Sequence, residues 1–352
     1  MIILENINLS LPDFRLKNIC LDIQKNDFFA LIGPTGSGKS LLLEAMTGLL
    51  PIDKGKIFLE NKDITNLAVE KRNLALVYQD FALFPHLNVT KNILYGIRYH
   101  NIPKKTAMQR FDMLINTLGL EKITKRSPLN LSGGEKQRIS LARSLILNPD
   151  VLLLDEPLSA LDPIFHEEAK ELLKKIHQEL GITIIMVSHN FPDVLYLANR
   201  AAIIKNGQIM QKGLTKDIFE KPNSIFTANF VGMKNIFPLK TTNGKLLIED
   251  KDKYIEILAH NKIKTDHTHI GIRPEDISFV KNKSDLKNNK YTNIFQGKID
   301  KISNSGIYLS LLVTSGHTKF NIIWPRSYMR EYKLDIGQNI NFRFPPEIVH
   351  TF

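Results

Sequence analysis

The chain has 352 residues, 43% hydrophobic and 24% charged, with a single cysteine and a formal net charge of +11. At about 150 residues per domain this length predicts two domains, and the balance excludes a disordered, collagen-like or disulfide-stapled chain. The longest wholly apolar runs are a few residues, such as Val151–Leu154, where a membrane-spanning helix needs about 20.

The opening MIILENINLS lacks the basic region and long apolar stretch of a secretory signal. Cys20 sits in an apolar-alternating segment and is expected to be a small core residue in a reducing compartment. The charge excess divides as +5 over residues 1–235 and +6 over residues 236–352. Its densest stretch, Lys281–Lys290, reads as a solvated loop. Alone, the excess is compatible with nucleic acid, an anionic membrane surface or simple solubility.

In chain order, residues 1–30 alternate apolar and polar and run into Phe28–Ile32, which predicts short strands with the last one buried. A glycine-rich turn and a helix over Leu41–Met46 follow, then strand-like pieces to about residue 78 separated by Gly55 and Asn61–Asp63. Residues 104–147 are helical in pattern with a break near Ser127-Pro128. Val151–Leu154 and Ile182–Val187 are short enough to be buried parallel strands. Between them Asp162 is a helix N-cap with Pro163 in the first turn. Phe165, Ala169, Leu172, Leu173, Ile176 and Leu180 form one stripe, and Gly181 ends the helix. Strand, helix, strand in this order is a parallel crossover unit. Beyond about residue 235 come short β-rich pieces, among them Ile299–Ile302, Tyr308–Val313 and Asn339–Phe344, the pattern of a small barrel or sandwich.

Gly33-Pro34-Thr35-Gly36-Ser37-Gly38-Lys39-Ser40 matches the phosphate-loop pattern in the strand-to-helix context it requires. Glycines let backbone amides curl around a phosphate, and the helix N-terminus adds positive potential. Lys39 can reach the β- and γ-phosphates of ATP, and Ser40 can bind Mg²⁺. Asp155 and Glu156 end the strand that begins at Val151. Asp155 is placed to hold Mg²⁺ through water, and Glu156 to orient and activate the attacking water. Leu131-Ser132-Gly133-Gly134-Glu135 admits a bland reading as a helix start, with Ser132 the N-cap and Glu135 completing a capping box. Its position shortly before the Asp155 strand favours more.

With these motifs together, residues 1–235 resemble the ATP-binding subunit of an ABC transporter. The resemblance implies an α/β P-loop ATPase with a helical subdomain, working as a homodimer. Ser132, Gly133 and Gly134 would contact the γ-phosphate held by the second copy. It also implies that Gln79 contacts Mg²⁺ and links the nucleotide to the membrane partner, and that His189 senses the γ-phosphate. Ser159–Asp162 would be the loop at the dimer interface, with Asp162 beside the nucleotide, and Phe14 the aromatic that stacks on adenine. Transmembrane permease subunits would dock near Gln79–Pro85, with Phe81, Leu83 and Phe84 as apolar contacts or as part of the helical core. An extracytoplasmic solute-binding protein would act indirectly. The protein would then be peripheral, on the cytoplasmic face of the inner membrane, with no nucleic-acid partner.

Residues 236–352 resemble the all-β, OB-like regulatory domain of importer ATPases, through Gly271–Asp276. The last 60 or so residues resemble molybdate-binding β-domains, through Ile299–Val313, Arg326-Ser327 and Leu334–Gln338. The whole is similar to molybdate and tungstate importer ATPases. Sulfate, ferric iron, polyamine and sugar importers are the alternatives, followed by ATPases of the same type acting on nucleic acid or ribosomes. Arg326, Ser327 and neighbouring amides could bind a tetrahedral oxyanion by charge-assisted hydrogen bonds.

Overall fold

A computed structural model describes residues 1–352 except 160, 243–244, 252, 260–266, 281–292, 329–331 and 333. The basic stretch Lys281–Lys290 and Ala160 of the expected interface loop lie outside the described residues. The chain divides into two compact units, Met1–Ile218 and Phe219–Phe352.

In the first unit, β1 (Ile2–Ser10), β2 (Arg15–Ile23) and β3 (Phe28–Ile32) precede α1 (Lys39–Thr47), β4 (Lys54–Leu59), β5 (Lys62–Asp63) and β6 (Leu74–Val77). Then come α2 (Val89–Ile93), α3 (Lys104–Leu118), α4 (Gly133–Leu145), β7 (Val151–Asp155), α5 (Pro163–Leu180) and β8 (Thr183–Val187). The unit continues through α6 (Phe191–Leu197), β9 (Arg200–Lys205) and β10 (Gln208–Leu214), and α7 (Thr215–Glu220) runs through the division. The sequence break between α3 and α4 is a 3-10 turn at Pro128–Asn130, where Ser127 caps Leu129 N–H.

Two sheets build this unit. One is four-stranded and antiparallel, in the order β2-β1-β4-β5; the other has six strands, β10-β9-β3-β8-β7-β6. All pairs of the larger sheet from β9 to β6 are parallel, and only β10 joins antiparallel. Parallel central strands are covered on both faces, which is why β3 and β8 are buried at every position. Residues of the two sheets and of α1 share one core, including Ile2, Ile19, Phe29, Leu42, Leu153 and Ile185. Burial of this apolar surface is the main favourable term that fixes the sheet.

Cys20 departs from expectation: it is exposed and free. Strand β2 alternates about it, with Ile19 and Leu21 buried, so Cys20 falls on the outward face and its thiol lies 3.2 Å from Asn6 Oδ1. Apolar composition identified the strand, but the phase of alternation decided the face.

The second unit begins with α8 (Ile225–Phe230), β11 (Asn235–Thr242), β12 (Lys245–Asp250), β13 (Lys253–Ile257), β14 (His269–Ile272) and β15 (Ser278–Phe279). It ends with β16 (Asn293–Asn304), β17 (Tyr308–Ser315), β18 (Thr318–Pro325), β19 (Asn339–Phe344) and β20 (His350–Thr351). Its strands form two five-stranded antiparallel sheets, β13-β12-β11-β14-β20 and β15-β19-β16-β17-β18. Both sheets contribute to one core around Ile248, Ile270, Phe320, Ile322 and Phe342. The β-rich texture of the tail therefore does correspond to a unit built mostly of β-strands.

Candidate nucleotide site

Register places the chemistry. Leu31 of β3 pairs with Val187 of β8, Val187 with Asp155 of β7, and Leu154 with Val77 of β6. The segments leaving these four strands, at Gly33, Ser188, Glu156 and Tyr78, therefore emerge at one edge. The carboxyl ends of parallel strands are where an open α/β sheet binds its ligands.

Helix α1 has Gly38 as its N-cap, in a left-handed conformation at φ 100°, and no side chain caps it. Its first amides are left to a ligand, and the macrodipole favours an anion there. A Cβ on Gly38 would lie 2.7 Å from the Phe14 ring, so glycine is required both by the backbone angle and by the aromatic packed on the loop. Phe14 also lines an open hollow of about 480 Å³ with Arg15, Lys17 and Gly36. An unsatisfied helix N-terminus with an aromatic beside it fits a nucleotide: anion in the cradle, base against the ring.

Lys39 is 7% exposed, and its Nζ donates to the carbonyls of Gly33 and Pro34, each at 3.0 Å. Burial pushes its pKa below the usual range, against the opposing pull of Glu156 and Asp155. Burial pushes Asp155 up; the Ser40 hydroxyl and Lys39 act against it, while Glu156 adds to it. Glu44, one helical turn after Ser40, is raised by burial and by Asp155. Among the described residues no cluster of three His, Cys, Asp or Glu side chains could hold a metal unaided. The donor set at hand, the Ser40 hydroxyl facing a carboxylate beside a phosphate cradle, instead suits Mg²⁺ carried in with phosphate oxygens.

Glu156 holds a left-handed backbone at φ 46°, strained for a residue with a Cβ. Its N–H donates to Val187 O at 3.1 Å, and its carbonyl accepts from Ser159 N at 3.2 Å and Ser159 Oγ at 2.9 Å. This turn aims the carboxylate at His189, whose Nδ1 lies 3.1 Å from Glu156 Oε1. The imidazole is 63% exposed and the carboxylate 22%, so the pair opens to one side. Gln79 is exposed just beyond β6. Tyr78 beside it has its phenol pushed up by burial and by Glu44, Asp155 and Asp80.

The sequence-predicted residues thus divide. Phe14, Gly33–Ser40, Asp155, Glu156 and His189 are gathered by the sheet edge and its contacts, with Gln79 beside them. Ser132–Gly134 and Asp162 have no hydrogen bond or ion pair to the loop among the described residues. Ser132 caps α4, its Oγ accepting from Glu135 N while Glu135 Oε2 accepts from Ser132 N at 2.8 Å. Asp162 caps α5 through Ile164 N and Phe165 N, both at 3.2 Å. Of the three expected docking residues, Phe81 is 7% exposed and belongs to the core, whereas Leu83 and Phe84 are half-buried.

The family described as ABC transporter matches residues 16–159. The molybdate/tungstate import ATP-binding protein WtpC of Pyrococcus horikoshii is 33% identical over 354 residues, covering 100% of both chains. The chain belongs to the ATP-binding subunits of ABC transporters. It is accordingly an ATP-hydrolysing importer subunit that works with Mg²⁺. The spermidine/putrescine import ATP-binding protein PotA of Borreliella afzelii is 38% identical over 283 residues, covering 80% of this chain and 81% of its own. Among solved structures, cbiO1 of Clostridium perfringens, part of the cbiONQ transporter complex, has TM-score 0.58 at 30% identity over 65% of this chain and 94% of its own. A dimeric ATP-binding cassette in a post-hydrolysis state with ADP and Pi has TM-score 0.54 at 27% identity over 61% of this chain and 99% of its own.

Two features of this ABC subunit's site escape motif reading. The Asn206-Gly207 turn between β9 and β10 has φ 48° and 73°, as a two-residue hairpin turn requires. Gly207 N–H donates to Ser37 O at 3.1 Å and its carbonyl accepts from Lys17 N at 2.8 Å, so the turn braces the phosphate loop. The Asn-Gly dipeptide between two apolar runs was its signal. Arg72, 5% exposed, donates to the carbonyls of Ala45, Met46, Thr65 and Leu67 at 2.6–3.2 Å. It anchors the far end of α1, and no local pattern marks it.

Proposed function

We propose that Phe14 receives the adenine of ATP, the loop Gly33–Ser40 with Lys39 receives its phosphates, and Ser40, Gln79 and Asp155 hold Mg²⁺. When bound, Mg²⁺ neutralises phosphate charge as it develops during hydrolysis. Glu156 orients the attacking water and takes its proton, and His189 fixes the carboxylate and reaches the γ-phosphate. The observation that carries these roles is the 3.1 Å contact between Glu156 and His189 at the sheet edge that also presents Lys39 and Asp155. Ser132–Gly134 and Asp162 complete the site on a second copy of the chain. This explains why neither reaches the loop of its own chain, and the dimeric relative with ADP and Pi supports it.

Closure of the two copies, favoured by γ-phosphate contacts that exist only in the closed state, acts on transmembrane permease subunits docked near Gln79–Pro85. No described helix is long and apolar enough to cross a membrane. The path for solute then belongs to those subunits, and this chain sits against them at the cytoplasmic face of the inner membrane. The functional boundary we place at residues 235/236, between ATPase and regulatory tail, falls inside the second compact unit, near its start.

The cargo we propose is molybdate or tungstate. End-to-end similarity to WtpC, tail included, supports it. The polyamine reading has one observation in its favour, the higher identity of PotA over a shorter stretch. Within the tail, Arg326 and Ser327 are exposed at the end of β18, and Arg326 Nη1 donates to Gly306 O at 3.3 Å. Arg273 of the Gly271–Asp276 segment is committed to the carbonyls of Val231 and Phe219. The exposed Arg326-Ser327 corner is therefore the better anion candidate of the two. Calorimetry on the full chain with molybdate, tungstate, sulfate, phosphate and spermidine tests sensing by the tail. ATPase stimulation of the reconstituted transporter by the same panel tests the cargo. Stimulation by spermidine and by neither molybdate nor tungstate would replace the oxyanion reading with the polyamine one.

A further inference from the structure

Among the residues with side chains that the ATPase unit holds in the left-handed region, two turns stand beside the nucleotide site. One is Phe81-Ala82, at φ 62° and 43°, two residues beyond Gln79; the other is Glu156, at φ 46°. Such conformations persist only where neighbouring groups enforce them. At both turns α4, the helix whose N-terminus is Ser132–Gly134, adds side-chain donors to a carbonyl of the turn or of the residue that follows it.

Gln137, 1% exposed, donates from Nε2 to Pro157 O at 3.0 Å, immediately after Glu156. Ser140 Oγ, fully buried, donates to Phe81 O at 3.1 Å. Arg143 donates from Nη2 to Phe81 O at 3.0 Å and from Nη1 to Ala82 O at 2.7 Å. Its guanidinium also lies 5.3 Å from the centroid of the Phe84 ring. No ion pair engages Arg143 among the described residues; burial lowers its pKa, and Asp80 acts at a distance in the opposite sense. A planar fork spanning two successive carbonyls and an aromatic face is a contact that lysine cannot reproduce.

The three residues are spaced by three along a 13-residue helix and fall on one side of it. At a rise of about 1.5 Å per residue the helix is about 20 Å long, enough to connect the two turns directly. We propose that α4 is an internal strut, and that Gln137, Ser140 and Arg143 are positioning residues locking the Phe81-Ala82 turn and the Glu156 turn to one rigid body. Displacement of the loop that carries Gln79 then shifts the backbone that aims Glu156. This happens within a single chain, in addition to any motion across the dimer. The inference rests on the roles proposed above for Gln79 and Glu156.

The test uses the full chain with Cys20→Ser and His86→Cys, so that an environment-sensitive fluorophore on the exposed residue 86 reports the loop. The parent is expected to change fluorescence on binding MgATP. In Arg143→Lys and, separately, Gln137→Met, that change falls about tenfold while KM for ATP stays within about twofold. In Gln137→Met kcat also falls, because the Pro157 carbonyl loses its donor. Thermal unfolding identifies any variant that fails to fold, and Ser140→Ala, which removes one donor of the same grip, then takes its place. Folded variants that keep the full loop response overturn the strut. A parent that binds MgATP without any loop response overturns the role assigned to the Gln79 loop instead, and the strut with it.

Discussion

Glu156 and His189 show what a single residue's backbone can do. The strained turn at φ 46° places a carboxylate 3.1 Å from an exposed imidazole, which a relaxed strand end would not achieve. Glu156→Gln is expected to lower ATP turnover by about 10²–10³-fold, since proton removal is lost while the phosphate cradle is untouched. A turnover assay beside equilibrium nucleotide binding checks it, and turnover at the unsubstituted rate would remove Glu156 from its role. Gly38→Ala should abolish nucleotide binding, because its Cβ meets Phe14 at 2.7 Å in a backbone conformation that disfavours it. Asp155 gives a pH signature. Its pKa is raised in the folded chain by burial, so the fold binds this proton more tightly than the unfolded chain does. The stability this proton contributes is therefore fully present below the ordinary Asp value and is lost as pH rises through the raised one. Asp155→Asn is expected to melt about 2 °C higher than the parent at neutral pH, with the gap narrowing on acidification. Scanning calorimetry across pH checks both sign and trend.

Elements bring these residues to one place, and their ends carry the signals. Ser132 with Glu135, Asp162 with Pro163, and Gly181 were legible as caps, and each terminates its helix as read. The physical reason is local: orphan amides and carbonyls of a helix end are satisfied within three residues. Asp162→Ala is expected to cost about 1 kcal/mol as a lost cap. If the same carboxylate also serves the partner's site, turnover falls further than that loss explains. Arg72 was not legible, because its four carbonyl acceptors come from two segments about 20 residues or more apart. Arg72→Met should destabilise the chain by about 3 kcal/mol, leaving buried acceptors without a donor. Denaturant unfolding measures it. Of the two readings open for Phe81, burial favours the core one, which its exposed neighbours in sequence could not decide: Ser140 and Arg143 hold its backbone from α4.

At the scale of the whole molecule, the chain divides into two compact units, and no described helix is long and apolar enough to cross a membrane. The Glu156→Gln chain is expected to sediment with about twice the monomer mass in the presence of MgATP, as the role proposed for Ser132–Gly134 on a second copy requires. An unchanged monomer under saturating MgATP would return those residues to a purely capping role. By itself the sequence determined the nucleotide chemistry, the parallel crossover and the β-rich tail. A phosphate cradle must be a contiguous glycine-rich turn, and buried strands must be contiguous apolar runs. Only the tertiary structure decided which face Cys20 takes, that Arg72 and Asn206-Gly207 brace the loop helix and the loop, and that α4 grips two strained turns. Those facts depend on strand phase and on donors meeting carbonyls far apart in the chain, where no periodicity or motif records the pairing.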